Sequence, residues 1–115
     1  MGLIEAVMAV VVSLTGSHWV SSDNSKQSVE FKSSQIMGNA GCNQFFGTYN
    51  QKDEKISVNP LATTRMACAH DVMLKEHDFL VMLESAKHVE MDANMLILKN
   101  ANGEVLMKFN RKDVG

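Results

Sequence analysis

The sequence predicts an α+β domain built on an antiparallel sheet. Three observations predict it. Short runs with apolar residues recur along the chain, at Val29 and Phe31, at Ile56 and Val58, and over residues 95–98. Only one longer stretch, residues 71–86, lacks Gly and Pro while carrying apolar side chains at helical spacing. Asn102-Gly103 lies between two apolar runs, a hairpin signal because both residues tolerate positive φ. Strands, then one helix, then strands again, is the layout of a helix packed on an antiparallel sheet.

The elements follow in chain order. Residues 17–21, around Trp19 and Val20, form a first strand after Gly16. Residues 21–25 are turn chemistry, rich in Ser, Asp and Asn. Val29 and Phe31 alternate with Glu30 and Lys32, as in a half-buried strand. Residues 35–39 make another extended piece, ended by Gly38 and Gly41. Gly47-Thr48-Tyr49 is extended, Asp53-Glu54 turns, and Ile56 and Val58 alternate until Pro60 ends the strand. The helix spans residues 71–86, with Asp71 as its N-cap and Lys87 at its C-terminal end. Its stripe holds Val72, Glu76, Phe79 and Leu83, with Met73 and Leu80 beside them. Val89 and Met91, residues 95–98 and residues 105–109 supply the last strands. The core should bury Trp19, Phe31, Phe79, Leu83, Leu98 and Phe109.

The 115 residues suffice for one domain, and 45% hydrophobic with 21% charged residues is a globular balance. A net charge of −2 argues against a general nucleic-acid binder, which needs a basic surface. Nine Met suit an adaptable core. Residues 3–14 are apolar except Glu5 and Ser13, too short a run to span a membrane. Three readings of it stand: an export signal, a decayed or engineered lipoprotein signal, or an element of the fold. Leu14-Thr15-Gly16 has the form of a lipobox, but Ser17 stands where the lipid-bearing Cys would be.

The chemistry-bearing residues are few. Cys42 and Cys68 lack CxxC spacing; they are either a disulfide pair or two buried thiols. His18, His70, His77 and His88 fit no zinc pattern, so no metal and no cofactor are assigned. A Cys–His nucleophile from Cys42 or Cys68 with His70 or His77 has no activating group nearby in sequence. Asp71, Glu76, Asp78 and Glu84 are read as a solvated helix face. Arg65, isolated among small and apolar residues, is expected to pair with a carboxylate elsewhere in the fold. The helix carries more apolar residues than one stripe can bury. Leu74, Phe79, Val81, Met82 and Leu83 are the candidate apolar groove or patch, covered by the N-terminal run or left exposed as a contact site.

The motifs carry a resemblance. Leu14-x-Gly16-x-x-Trp19 opens the chain in the manner of the META domain family, which includes HslJ-like heat-shock proteins of bacterial envelopes. Gly41-Cys42-Asn43, followed by Phe46, Gly47 and Tyr49, is similar to that family. So are Pro60, Ala62 and the run Thr64-Arg65-Met66-Ala67-Cys68, and so are Glu76, Phe79, Leu80 and Leu83 on the helix. The resemblance covers residues 14–111. It divides the chain into an apolar segment, residues 1–13, and a META domain, residues 14–115. It implies an open, cracked antiparallel barrel with one helix laid across it, similar to type III secretion pilotins. It implies a periplasmic or outer-membrane-associated, lipoprotein-like location and no catalytic residues. Ser17 argues against a lipid anchor. The expected role is non-enzymatic binding of an envelope protein or apolar ligand, in a groove lined by residues such as Phe79 and Leu83. The alternative is a thiol-dependent redox protein or enzyme using Cys42 or Cys68.

Overall fold

The computed structural model of the chain describes residues 13–112. The N-terminal run up to residue 12 therefore lies outside the described residues. Nine strands and one helix are described: β1 His18–Ser21, β2 Gln27–Phe31, β3 Gln35–Ala40, β4 Gln44–Lys52, β5 Lys55–Val58, β6 Ala62–Thr63, α1 His70–Ser85, β7 His88–Met91, β8 Met95–Lys99 and β9 Val105–Arg111.

Every strand pair is antiparallel, and the sheet order runs β3-β2-β1-β9-β8-β7-β5-β4 before β4 returns to β3. The barrel is therefore closed by eight strands, not open. The sequence could not show this, because two of the ring's contacts join distant segments. Trp19 pairs with Arg111 between β1 and β9. Lys55 pairs with His88 between β5 and β7, flanked by Ile56 N–H to Lys87 O (3.0 Å) and Val89 N–H to Glu54 O (2.9 Å). The β5–β7 contact is the narrowest in the ring. β6 lies outside the ring's count and pairs with β4, Phe46 opposite Ala62 and Phe45 opposite Thr63.

Alternation places one face of each strand inside. β2 buries Gln27, Val29 and Phe31, β5 buries Ile56 and Val58, and β8 buries Leu96 and Leu98. Trp19, Phe31, Phe79, Leu83, Leu98 and Phe109 are all at most 1% exposed, as the sequence predicts. Phe79 enters the barrel from the helix and meets Phe45 (5.7 Å between rings) and Phe109 (6.3 Å), both edge-on. Strand β4 is longer than its sequence suggests. Phe46 faces out while Gly47 faces in, which breaks the apolar alternation.

Helix α1 begins one residue earlier than expected. Ala69, which has no accepting side chain, is the N-cap, and Asp71 sits in the first turn. Its carboxylate there still suits the helix dipole. Lys87 lies past the helix end, where its N–H joins Lys99 O at 2.8 Å. The β8–β9 connection is a five-residue loop, and Gly103 takes the positive φ (+84°) while Asn102 does not. Asn100 Oδ1 organises that loop by accepting from Asn102 N–H and Glu104 N–H.

The two barrel ends differ. At one, Gln27 Nε2 donates to Lys75 O of α1 at 3.3 Å. At the other, Gly16 N–H reaches Phe31 O at 2.8 Å, and Leu14, fully buried, donates its N–H to Gln51 Oε1 at 3.0 Å. Since β2 runs from Gln27 to Phe31, residues 13–16 and α1 occupy opposite ends.

Candidate functional site

The motif residues converge beside the start of α1. The loop after β3 turns at Gly41, whose φ of +126° suits a residue without Cβ. Asn39 Oδ1 accepts Gly41 N–H at 2.9 Å. Cys42 follows and is joined by a disulfide to Cys68, with Cα atoms 6.1 Å apart. The bond ties the loop to the segment that leads into the helix.

Asn43 is the hub. Its Oδ1 accepts Met66 N–H (2.6 Å) and the Thr64 hydroxyl (2.9 Å), and its Nδ2 donates to Met66 O (3.1 Å). The same Nδ2 donates to Glu76 Oε2 at 2.8 Å. Glu76 Oε1 accepts the backbone N–H of Cys42 (3.0 Å) and of Asn43 (2.6 Å). Glu76 is only 5% exposed, so the solvated-face reading does not hold for it. Its place on the stripe with Phe79 and Leu83 was the signal. Burial pushes its carboxyl up, but the Asn43 side chain and the two backbone N–H donors outweigh this and hold it below the usual carboxylate range.

Arg65 is corrected too. It is exposed, and among the described residues it makes no ion pair. Its neighbour Met66 is 58% exposed, although Asn43 grips both polar groups of the Met66 backbone. Phe46, on the outer side of β4, is 50% exposed. This segment is thus tightly held by its backbone while its large side chains stand in solvent.

Among the described residues the five candidate groove or patch residues divide between the core and the surface. Phe79 and Leu83 are fully buried in the core, and Met82 is half-buried. Leu74 and Val81 stay exposed at 53% and 46%, because they fall off the buried stripe. Beside α1 the surface has an open, mostly polar hollow of about 630 Å³, lined by residues including Gln27, Lys75, Asp78 and Met82. Trp19 lies away from the hub; its Nε1 donates to Ser17 Oγ (2.7 Å), and the Arg111 guanidinium lies 4.4 Å from its ring centre. Ser17 is buried, and its hydroxyl also donates to Leu14 O at 2.5 Å. Its side chain therefore serves the fold.

Among the described residues no three His, Cys, Asp or Glu side chains come together as a metal site. His70 and His77 are exposed. Among the described residues no helix is long and apolar enough to cross a membrane. Sequence reasoning missed β6 and the Asn43–Glu76 contact, which joins residues 33 apart in the chain.

A family model described as the META domain matches residues 10–113. An NMR structure of a protein from Burkholderia xenovorans is similar, with 26% identity and a TM-score of 0.68, covering 86% of this chain and 83% of that one. A crystal structure of a DUF4847 family protein from Bacteroides vulgatus shares the fold at 18% identity and a TM-score of 0.60, over 76% of this chain and 62% of that one. No curated protein matches.

Proposed function

This chain belongs to the META domain family, and from that premise we propose that it is a non-enzymatic binding module of the bacterial envelope. Its binding region is the corner where exposed Phe46 of β4 lies near the braced run after β6 that carries exposed Arg65 and Met66. One observation carries this reading: a disulfide and the Asn43 hub brace residues 64–68, yet the Arg65 and Met66 side chains are exposed and Arg65 has no ion pair among the described residues. Bracing of this kind presents side chains to a partner with little ordering cost on binding. Exposed aromatic, Met and Arg residues are the types enriched at interfaces.

The filled barrel interior supports a protein partner over a small apolar ligand held inside. The disulfide supports an oxidising compartment, hence a periplasmic or outer-membrane-associated location. Ser17, committed to Leu14 and Trp19, supports a domain without lipid at that position. The thiol-dependent alternative is disfavoured chemically. Both thiols are in the disulfide, so neither stands as a free nucleophile.

The test compares the immobilised, oxidised chain with a Phe46→Ser, Met66→Ser double variant of matched thermal stability. Both are exposed to a detergent-solubilised envelope fraction. The reading expects specific proteins retained by the unmodified chain and lost by the variant. Equal retention by both would overturn it.

A further inference from the structure

The barrel strands pair on both sides, but among the described residues β6 pairs on one side only, with β4. In an antiparallel pair, successive residues point their N–H and C=O groups alternately toward and away from the partner strand. Thr64 N–H reaches Gln44 O at 3.0 Å, and Ala62 pairs with Phe46, so even-numbered residues of this segment face β4. The backbone groups of Leu61 and Thr63 therefore point the other way, and the same alternation carried past β6 by the Thr64 contact puts those of Arg65 on that side. Glu84 Oε2 of α1 takes the Leu61 N–H at 2.8 Å. Thr63 and Arg65 have no backbone partner on that side among the described residues.

We propose that the edge at Thr63 and Arg65 accepts an extended segment of another polypeptide that carries an acidic side chain, adding a strand beside β6. The proposal rests on the binding face described above and names the form of its partner. The two open positions are two residues apart, a repeat that another extended backbone matches. Arg65 is exposed and without an ion pair among the described residues, so it favours a carboxylate on the incoming segment. Phe46 and Met66 supply apolar surface beside the same edge. A second copy of this chain is a poorer fit. Edge-to-edge pairing of two β6 strands would gather both Arg65 guanidinium groups on one short seam.

The experiment follows the backbone amides of the full, oxidised chain by NMR during addition of two peptides, acetyl-Val-Glu-Val-Glu-Val-amide and acetyl-Val-Lys-Val-Lys-Val-amide. The acidic peptide should shift the amides of residues 61–67 and slow exchange at Thr63 and Arg65. The basic peptide should bind at least about tenfold more weakly. Thr63→Pro removes an outward N–H that β4 does not use, and Pro is tolerated on such an edge. It should weaken the acidic peptide at least about tenfold with the other amides unmoved. Arg65→Glu should reverse the peptide preference and serves if Thr63→Pro perturbs the fold. Absence of shifts, shifts centred on Leu74 and Val81 instead, or protection at Thr63 that rises with protein concentration alone would each overturn the proposal. If peptides fail while the Phe46 and Met66 variant still loses its envelope proteins, strand addition is wrong and the binding face stands. If both fail, the face itself is wrong.

Discussion

Asn43 and Glu76 hold each other by two contacts: the Asn43 side-chain amide reaches Glu76 Oε2 at 2.8 Å, and the Asn43 backbone N–H reaches Oε1 at 2.6 Å. A helix, a strand-connecting loop and the disulfide-bearing segment meet on this pair. Glu76→Gln would put an amide donor against the donors that now face a carboxylate. The variant should lose about 1–3 kcal/mol in urea denaturation, because a buried polar group is left unsatisfied. A loss within error of zero would mean that the pair is not a structural hub.

The same carboxyl predicts an acid response. Its pKa is lowered in the folded chain from an ordinary 4.5, so the unfolded chain binds the proton more readily. Its contribution is complete above about pH 4.5 and is lost as pH falls through the folded value. Asp92 is also lowered, by the Asn94 and then the Met95 backbone N–H, so its contribution has the same sign. Stability measured against pH should therefore fall less steeply in acid for Glu76→Gln than for the unmodified chain, with Asp92→Asn as the control that separates the two groups.

The disulfide closes a loop across a sequence separation of 26. A Cys42→Ser, Cys68→Ser double variant should lose about 3–4 kcal/mol in the chain-entropy account. Circular dichroism should still report the barrel, because the ring strands do not depend on the bond. Loss of the sheet signal would show that the bracing reaches further than the loop and the helix entry.

Two glycines predict opposite outcomes. A Cβ at Gly38 would sit 2.1 Å from the backbone oxygen of Ser28, so Gly38→Ala must push β2 away from β3. A Cβ at Gly47 meets the Leu61 Cδ2 methyl at 2.9 Å, the far end of a side chain that can turn. Thermal unfolding should drop markedly for Gly38→Ala, by about 2 kcal/mol or more, and much less for Gly47→Ala. Phe79→Ala, in the fully buried ring cluster, should cost about 3–5 kcal/mol.

Arg65 supplies the contrast. With no ion pair among the described residues, Arg65→Ala should change stability by no more than about 0.5 kcal/mol. A loss comparable to that of Glu76→Gln would restore the pairing role that the sequence suggested.

What the sequence made legible is what local pattern encodes. Val29 and Phe31, Ile56 and Val58, and Leu96 and Leu98 alternate inward because each strand has one face in the core. The helix stripe of Phe79 and Leu83 was readable for the same reason. Barrel closure was not, since it depends on Trp19 meeting Arg111 and Lys55 meeting His88 across long stretches of chain. Glu76 was visible as a charge on an apolar stripe, but its partners come from the loop at Cys42 and Asn43, which no local pattern links to the helix. Arg65 misled because isolation in sequence carries no information on whether a side chain points into the fold or into solvent.

The central claim is that the braced face at Phe46, Arg65 and Met66 meets a partner. The most direct measurement places a photo-crosslinking residue at position 66 of the full chain in its native cell, with position 105, exposed to a similar degree on β9, as the control. The account predicts a discrete crosslinked adduct from position 66, absent from position 105 and abolished by Phe46→Ser. No adduct from position 66, or the same adduct from both positions, would contradict it.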